Sequence, residues 1–459
     1  MERCFEIKEE NLPECLRKAV FWVRSTKDEE NERRLEEAIE RRLLKDIDEL
    51  KLKGSWEFTQ KDNPIASFVP DIVIKYIQQE RFIKLPFRTK FYGIALFADI
   101  SGFTSLTEKY TQIGTTGIEE LTETLNNYIG PVVARIIAAK GDVFKFAGDA
   151  ILCLWPVKKE KKIPSVLRTV VNCALNIQET YGILTTSLDV KLRIKFGISA
   201  GLFDFLICGK ETEFIQPICV GEPIVNVQDA QNQCEPGEVI ITNEAWQLLK
   251  HYHSSYTFIR IKGQFIKVLG KQFQSHTKER EAPTGKERQD VIKGCKTESQ
   301  LATISLFLLP MLRDLDAKQL EYLAEVRKIT TVFMSFPEID IIKTVGDIIV
   351  VVEVVYNCTY DMQGIFNKTV CFDKGCTCLV VFGLPGYKHQ DDSARGLLCA
   401  SKISSKMKQH SMVPRFIMMI LNNFIAFKMF YWNHNISYIL WNYWKPISSR
   451  IHRFLLKLF

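Results

Sequence analysis

The sequence predicts an α+β protein built on a ferredoxin-like, antiparallel-rich sheet, followed by a partial second copy of the same pattern. Three observations lead there. From about residue 64, strand-length and helix-length apolar patterns alternate in the order βααββαβ, which suits a sheet with helices packed on one face. Ala147-Gly148-Asp149 separates two short apolar runs as a hairpin turn would. A strand and a hairpin of the same texture return more than 200 residues later, a spacing that points to two related domains and not to a short-period solenoid.

In chain order, residues 1–63 are expected to form a charged helical extension. Residues 26–53 read as one amphipathic helix: Thr26 and Glu29 make a capping box, Gly54 marks the stop, and Leu35, Ile39, Leu43, Ile47 and Leu50 fall on one stripe. Such a stripe packs on its own domain more often than it captures a partner helix. The first domain spans 64–262. Within it Tyr92–Ile100 is an apolar run of strand length, and Ser101, Gly102, Phe103 and Thr104 open a helix. Ile118, Leu121, Leu125, Tyr128, Ile129, Val132, Val133 and Ile136 then share one helical face that closes at Gly141. Val143–Phe146 and Ile151–Trp155 make the hairpin, residues 164–181 a further helix, and Val190–Ala200 another strand.

Residues 263–325 are expected as a linker, most polar between 275 and 298. The partial second domain, 326–412, has a strand at Ile329–Phe336 and a hairpin over Gly364–Phe382. Gly141 precedes Lys145 by four residues, and Gly364 precedes Lys368 by four. The tail, 413–459, is hydrophobic and shows neither a helix nor a strand period. Trp432, Trp441 and Trp444 with Lys428 and Lys445 make it a candidate interfacial membrane segment, although a divergent, non-homologous end is the preferred reading.

Bulk properties narrow the function classes. The 459 residues leave room for two or three domains, and 46% apolar with 25% charged residues is a globular composition. A net charge of +7 suits a polyanion such as a nucleotide but gives no case for nucleic acid. The amino terminus shows no signal-peptide core, and no apolar run reaches the roughly 18 residues of a membrane span. The expected location is therefore cytoplasmic, with membrane association confined to the tail. The 13 cysteines read as buried thiols in a reducing compartment. Cys371, Cys376 and Cys378 cluster but alternate with strand-forming residues, which speaks against zinc. No G-x-x-x-x-G-K-[ST] motif occurs, which removes the P-loop enzymes.

Two carboxylates carry the chemistry. Asp99 ends the first strand, in Phe97-Ala98-Asp99-Ile100-Ser101-Gly102-Phe103-Thr104, and Asp149 sits in the turn of Phe144-Lys145-Phe146-Ala147-Gly148-Asp149-Ala150. If the hairpin pairs beside the first strand, both acids emerge at one edge of the sheet, where their oxygens suit a hard divalent cation. The helix opening at Gly102 to Thr104 offers unpaired N–H groups and a positive dipole end to phosphate. Either motif alone is commonly a cap or a turn; the two in this order and spacing describe a nucleoside triphosphate site.

These two motifs resemble the metal-site motifs of the class III adenylyl and guanylyl cyclases, and Lys-Phe-Ala-Gly-Asp-Ala is most similar to the soluble, bicarbonate-responsive group of animals. Phe366-Asn367-Lys368, Phe372-Asp373-Lys374-Gly375-Cys376 and Val381-Phe382-Gly383-Leu384-Pro385-Gly386 resemble that group's second catalytic domain. The resemblance implies an adenylyl cyclase making 3′,5′-cyclic AMP and pyrophosphate from ATP. It implies that Asp99 and Asp149, helped by the Ile100 carbonyl, bind two Mg2+ ions, with Mn2+ able to substitute. One ion would assist removal of the ribose 3′-hydroxyl proton, and the other would steady the triphosphate. Ser101, Gly102, Phe103 and Thr104 would cradle phosphate, Lys368 would contact adenine, and Lys145 would stand beside a bicarbonate site. Ca2+ is a further candidate partner. The two domains would pair as a pseudo-dimer within the chain, with Ser335 standing where Asp99 stands in the first.

Two departures from the family pattern bear on function. In Val220-Gly221-Glu222-Pro223-Ile224-Val225-Asn226-Val227-Gln228, Gln228 replaces an arginine that helps hold bicarbonate, and an amide cannot supply the charged fork. After Met412 nothing matches the asparagine and arginine that stabilise the transition state. Loss of such a donor costs on the order of 10²-fold or more. The alternative expectation is therefore a catalytically weak, nucleotide-binding partner protein.

Overall fold

The computed structural model describes residues 68–79, 85–113, 115–147, 149–210, 214–261, 263–272, 298–313, 325–372, 375–426, 430–432 and 435–437. The chain divides into two units, 1–62 and 63–459, and the described residues all belong to the second. The helix expected over 26–53 lies outside the described residues, as do Trp441, Trp444 and Lys445 of the tail.

The first half opens with α1 (Asp71–Gln78) and the long strand β1 (Phe87–Ser101). Helices α2 (Phe103–Ile113) and α3 (Thr115–Ala138) follow, then the hairpin β2 (Asp142–Ala147) and β3 (Ala150–Val157). Next come α4 (Ile163–Tyr181), the short β4 (Ile183–Thr185), β5 (Lys191–Lys210) and β6 (Phe214–Val220). Helix α5 (Glu222–Asn232), β7 (Val239–Thr242), α6 (Asn243–Leu248), β8 (Tyr256–Ile261) and β9 (Phe265–Lys271) complete it. The strands run in the order β2-β3-β1-β5-β7-β9-β8, with β4 and β6 also pairing with β5.

β1 reads as an unbroken apolar run because both faces of the sheet are covered. Ile94, Leu96, Ala98 and Ile100 point to one side, into a core with Leu106 of α2, Leu121 and Val132 of α3, and Leu167 and Val171 of α4. Ala95 and Phe97 point to the other, among Val73 of α1, Ile224 and Val227 of α5, and side chains of the second half. The helices thus divide between two faces, where one face was expected. The difference comes from α1 and α5, which cover the side that also receives the second half.

Helix α7 (Glu298–Ser305) leads to β10 (Glu325–Phe336), α8 (Val345–Asp361), β11 (Ile365–Phe372), β12 (Gly375–Phe382), α9 (Asp392–Lys408) and β13 (Arg415–Ala426). A small hairpin follows, β14 (Phe430–Trp432) with β15 (Asn435–Ser437). The second sheet has the order β11-β12-β10-β13, matching β2-β3-β1-β5 of the first.

Two expected boundaries move. β9 lies within the stretch 263–325 expected as linker, yet it pairs with β7 and β8, because Ile266 and Val268 fill the core. β13 lies within the tail 413–459 expected to lack regular structure, yet it pairs with β10 from Ser335↔Arg415 to Glu325↔Ala426. Phe416–Leu421 is apolar throughout and shows no period of its own, so its partner strand decides its conformation.

The registers of the two sheets correspond in detail. Phe97↔Leu152 and Asp99↔Ala150 in the first match Phe333↔Leu379 and Ser335↔Thr377 in the second. Both hairpins carry a bulge just before the lysine, between Val143 and Lys145 and between Phe366 and Lys368. Gly141 lies against the Trp155 ring and Gly364 against the Phe382 ring, so closely that a Cβ at either would collide. Ser335 therefore occupies the register position of Asp99.

Candidate metal and nucleotide site

Asp99 is the third residue from the end of β1 and pairs with Ala150, the residue that follows Asp149. The hairpin turn therefore delivers Asp149 next to the residue that faces Asp99, at the start of the neighbouring strand. Burial pushes the Asp149 carboxyl up to about 6, and the charge of Asp99 pushes it the same way. Two carboxylates of this kind, one of them costly to ionise, form a donor set of hard oxygens that fits a divalent cation. Among the described residues no group of three or more His, Cys, Asp or Glu side chains is placed to hold a metal ion, so the side-chain donors here are the two carboxylates alone.

The backbone turns sharply behind Asp99. Gly102 has φ +94°, and a Cβ there would strike the Lys191 carbonyl, so only glycine lets β1 pass directly into α2. Phe103 is buried and anchors the start of α2, whose first turn includes Thr104. Ser101 to Thr104 thus follow Asp99 at a helix amino terminus, as expected. Ile100 is buried and pairs with Ile194.

The two lysines face each other across the halves. Lys145 Nζ donates to Thr369 O at 2.7 Å and to Pro217 O at 3.2 Å. Lys368 Nζ lies 3.5 Å from Phe146 O. Each lysine, at the same place in its hairpin, reaches the carbonyl just after the other. Burial lowers both to about 8; the positive charge of Lys145 lowers Lys368 further, whereas neighbouring thiols hold Lys145 up. Thr369 N donates to Gln216 Oε1 at 2.7 Å, and the buried Gln216 Nε2 has no hydrogen-bond partner. Gln228 lies on α5.

Sequence reasoning missed two groups at the site. Lys195 pairs with Asp99 across β1 and β5 and puts Nζ 3.2 Å from Asp99 Oδ2. Gln231 Nε2 donates to the same oxygen at 2.9 Å. Neither belongs to a local motif. Lys195 is one cation in a strand, and Gln231 is 132 residues from its acceptor.

Residues 93–278 match the adenylate and guanylate cyclase catalytic domain family. They are a class III cyclase domain. Adenylate cyclase type 10 of Homo sapiens is 31% identical over 360 residues, covering 74% of this chain, and the Mus musculus protein is 30% identical over 370. The chain spans 22% of the length of these relatives. Among solved structures, the adenylyl cyclase CyaB of P. aeruginosa aligns with TM-score 0.32 and 21% identity, over 40% of this chain and 97% of that one. A class III adenylyl cyclase-like ATP-binding protein from Pseudomonas aeruginosa aligns with TM-score 0.43 and 13% identity, over 76% and 82%. The matched residues contain the end of β1 and every element from α2 to β9, together with Asp99, Asp149, Lys145 and Lys195. No helix among the described residues is long and apolar enough to cross a membrane.

Proposed function

We propose that the chain is an adenylyl cyclase that converts ATP to 3′,5′-cyclic AMP and pyrophosphate, with a second cyclase-like half completing the site. The observation that carries this reading is the placement of Asp149 in the hairpin turn, next to the residue that pairs with Asp99, with the charge of Asp99 acting on it. Asp99, Asp149 and the Ile100 carbonyl would hold two Mg2+ ions, with Mn2+ as a substitute, and such ions ease loss of the ribose 3′-hydroxyl proton and offset charge on the triphosphate. The N–H groups of Ser101 to Thr104 would bind phosphate oxygens. Lys368, reaching the first half at Phe146, would contact adenine and favour ATP over GTP.

The shared strand order, the matched bulges and the reciprocal lysine–carbonyl contacts support a pseudo-dimer of 64–262, extended to β9, with 326–412, extended through β13. Bicarbonate is a candidate effector at Lys145, beside the free Gln216 donor, without the arginine that Gln228 replaces; Ca2+ is a candidate at the acids.

The test is cyclic AMP formation by the purified full chain with ATP and Mg2+ or Mn2+, beside Asp99→Ala. Loss of about 10²-fold or more in the variant is expected. The second reading, a nucleotide-binding partner of a complete cyclase, is favoured by Ser335 in the register of Asp99. Equal background from wild type and Asp99→Ala would select it.

A further inference from the structure

The side of Asp99 that faces α5 is held by a contact that depends on an unusually close helix–strand approach. Gly197, Ser199 and Gly201 alternate along β5 and so share one face. All three are small, and α5 lies directly on them. A Cβ at Gly201 would come within 2.8 Å of Pro223 Cγ, and one at Gly197 within 2.7 Å of Gln231 N. Ser199 Oγ donates to Pro223 O at 2.5 Å. The helix therefore runs from Pro223 over Gly201 to Gln231 over Gly197, with no side chain to hold it away from the strand.

Gly197 pairs with Phe97 on β1, two residues before the Lys195–Asp99 pair. That places the last turn of α5 beside Asp99. Gln231, only 6% exposed, extends its amide to Asp99 Oδ2 at 2.9 Å. Lys195 Nζ stands 3.2 Å from the same oxygen. Both contacts thus fall on Oδ2, and Oδ1 enters no hydrogen bond or ion pair among the described residues. A carboxylate held by one oxygen and open at the other is oriented to ligate through the open one. A buried amide serves this purpose well, since it donates without adding charge to a site that must attract a cation.

We propose that Gln231 is a positioning residue for Asp99: delivered by the Gly197-Ser199-Gly201 trench, it fixes the carboxylate so that Oδ1 is presented to a divalent cation. This rests on the cyclase reading of Asp99. Its amide is engaged with Asp99 Oδ2, so its effect is on metal affinity through Asp99.

The experiment measures Mn2+ binding to the full chain without nucleotide, by electron paramagnetic resonance, for wild type, Asp99→Ala, Gln231→Met and Gln231→Asn. Met keeps the volume and removes the donor, and Asn keeps an amide one methylene too short. Both are expected to weaken Mn2+ about ten- to a hundredfold, the usual cost of losing an outer-shell partner, with the far-ultraviolet spectrum unchanged. If Gln231→Met does not fold, Gln231→Asn makes the same comparison. Wild-type affinity in the folded Gln231 variant, with binding lost in Asp99→Ala, overturns the positioning role and leaves the metal site standing. Equal binding by wild type and Asp99→Ala overturns the metal site and the positioning role together.

Discussion

Asp149→Asn tests the electrostatics of the paired acids directly. Burial and the neighbouring Asp99 raise Asp149 from 3.8 to about 6 in the folded chain. In the unfolded chain it returns to the ordinary value. Below about pH 4 the group is protonated in both states and costs nothing. Between about 4 and 6 the unfolded chain gives up its proton first, so folding becomes less favourable as pH rises. Above about 6 the whole cost is present. At 1.36 kcal/mol per unit, that cost is about 3 kcal/mol. Asparagine is neutral throughout, so the variant should match wild type near pH 4 and exceed it by up to about 3 kcal/mol near pH 7. Urea unfolding in EDTA at half-unit pH steps gives the difference curve, in which groups that do not interact with Asp149 cancel. Added Mn2+ should then stabilise wild type at pH 7 and do little for Asp149→Asn, because only the native dyad gains from the cation. A difference curve flat to within about 0.5 kcal/mol, the scatter of ordinary surface substitutions, would refute the coupling of the two acids.

The matched glycines make a second test: Gly141→Ala and Gly364→Ala each push a methyl into an aromatic ring, Trp155 or Phe382, and each should cost about 1–3 kcal/mol in urea unfolding. The buried lysines predict the opposite pH trend. Lys368 is lowered from 10.5 to about 8, so its cost is fully present below about 8 and vanishes as the folded state deprotonates first. Stability should therefore rise between pH 8 and 10.5, and Lys368→Met should reduce that rise while leaving the share due to Lys145.

What could be read from the chain was what lies in short local patterns. The strand ending in Asp99, the Gly-Asp turn and the helix opening at Gly102 are each contained in a few residues, and the structure brings them together. Lys195 and Gln231 were illegible because their role depends on strand register and on how closely α5 lies on β5. Neither quantity is written in the residues around them. Helix α8 hid for another reason. Its buried positions Val345, Ile348, Val352 and Val355 keep helical spacing, but Ile349, Val350 and Val354 fill the other positions with the same β-branched type. Packing against the second sheet overrides their strand propensity. β9 was lost in a stretch judged by its polar average, although Ile266 and Val268 alternate as a half-buried strand requires.

The correspondence of the halves bears on why one site would suffice. Asp99 faces Lys195 across the strand pair, and Ser335 faces Arg415 at the same register. The basic partner is kept in both halves, whereas the acid is kept in one. With an acid present, the base is balanced and a second acid, Asp149, leaves a net demand for a cation. Without one, the same frame places the buried hydroxyl of Ser335 where the carboxylate would stand, and a neutral hydroxyl supplies no charge to draw a divalent ion. On the two-domain reading, Ser335 in place of Asp99, together with the lack of an acid in register with Asp149 among the described residues, turns one of two equivalent positions away from metal without disturbing the strands that hold both. Restoring the acid with Ser335→Asp should then add one negative charge in the register of Asp99 without creating a second Mn2+ site, since the second half has no acid in register with Asp149 among the described residues. A second equivalent of Mn2+ bound by that variant at an affinity near the first would show that the two halves differ by less than their strand registers imply.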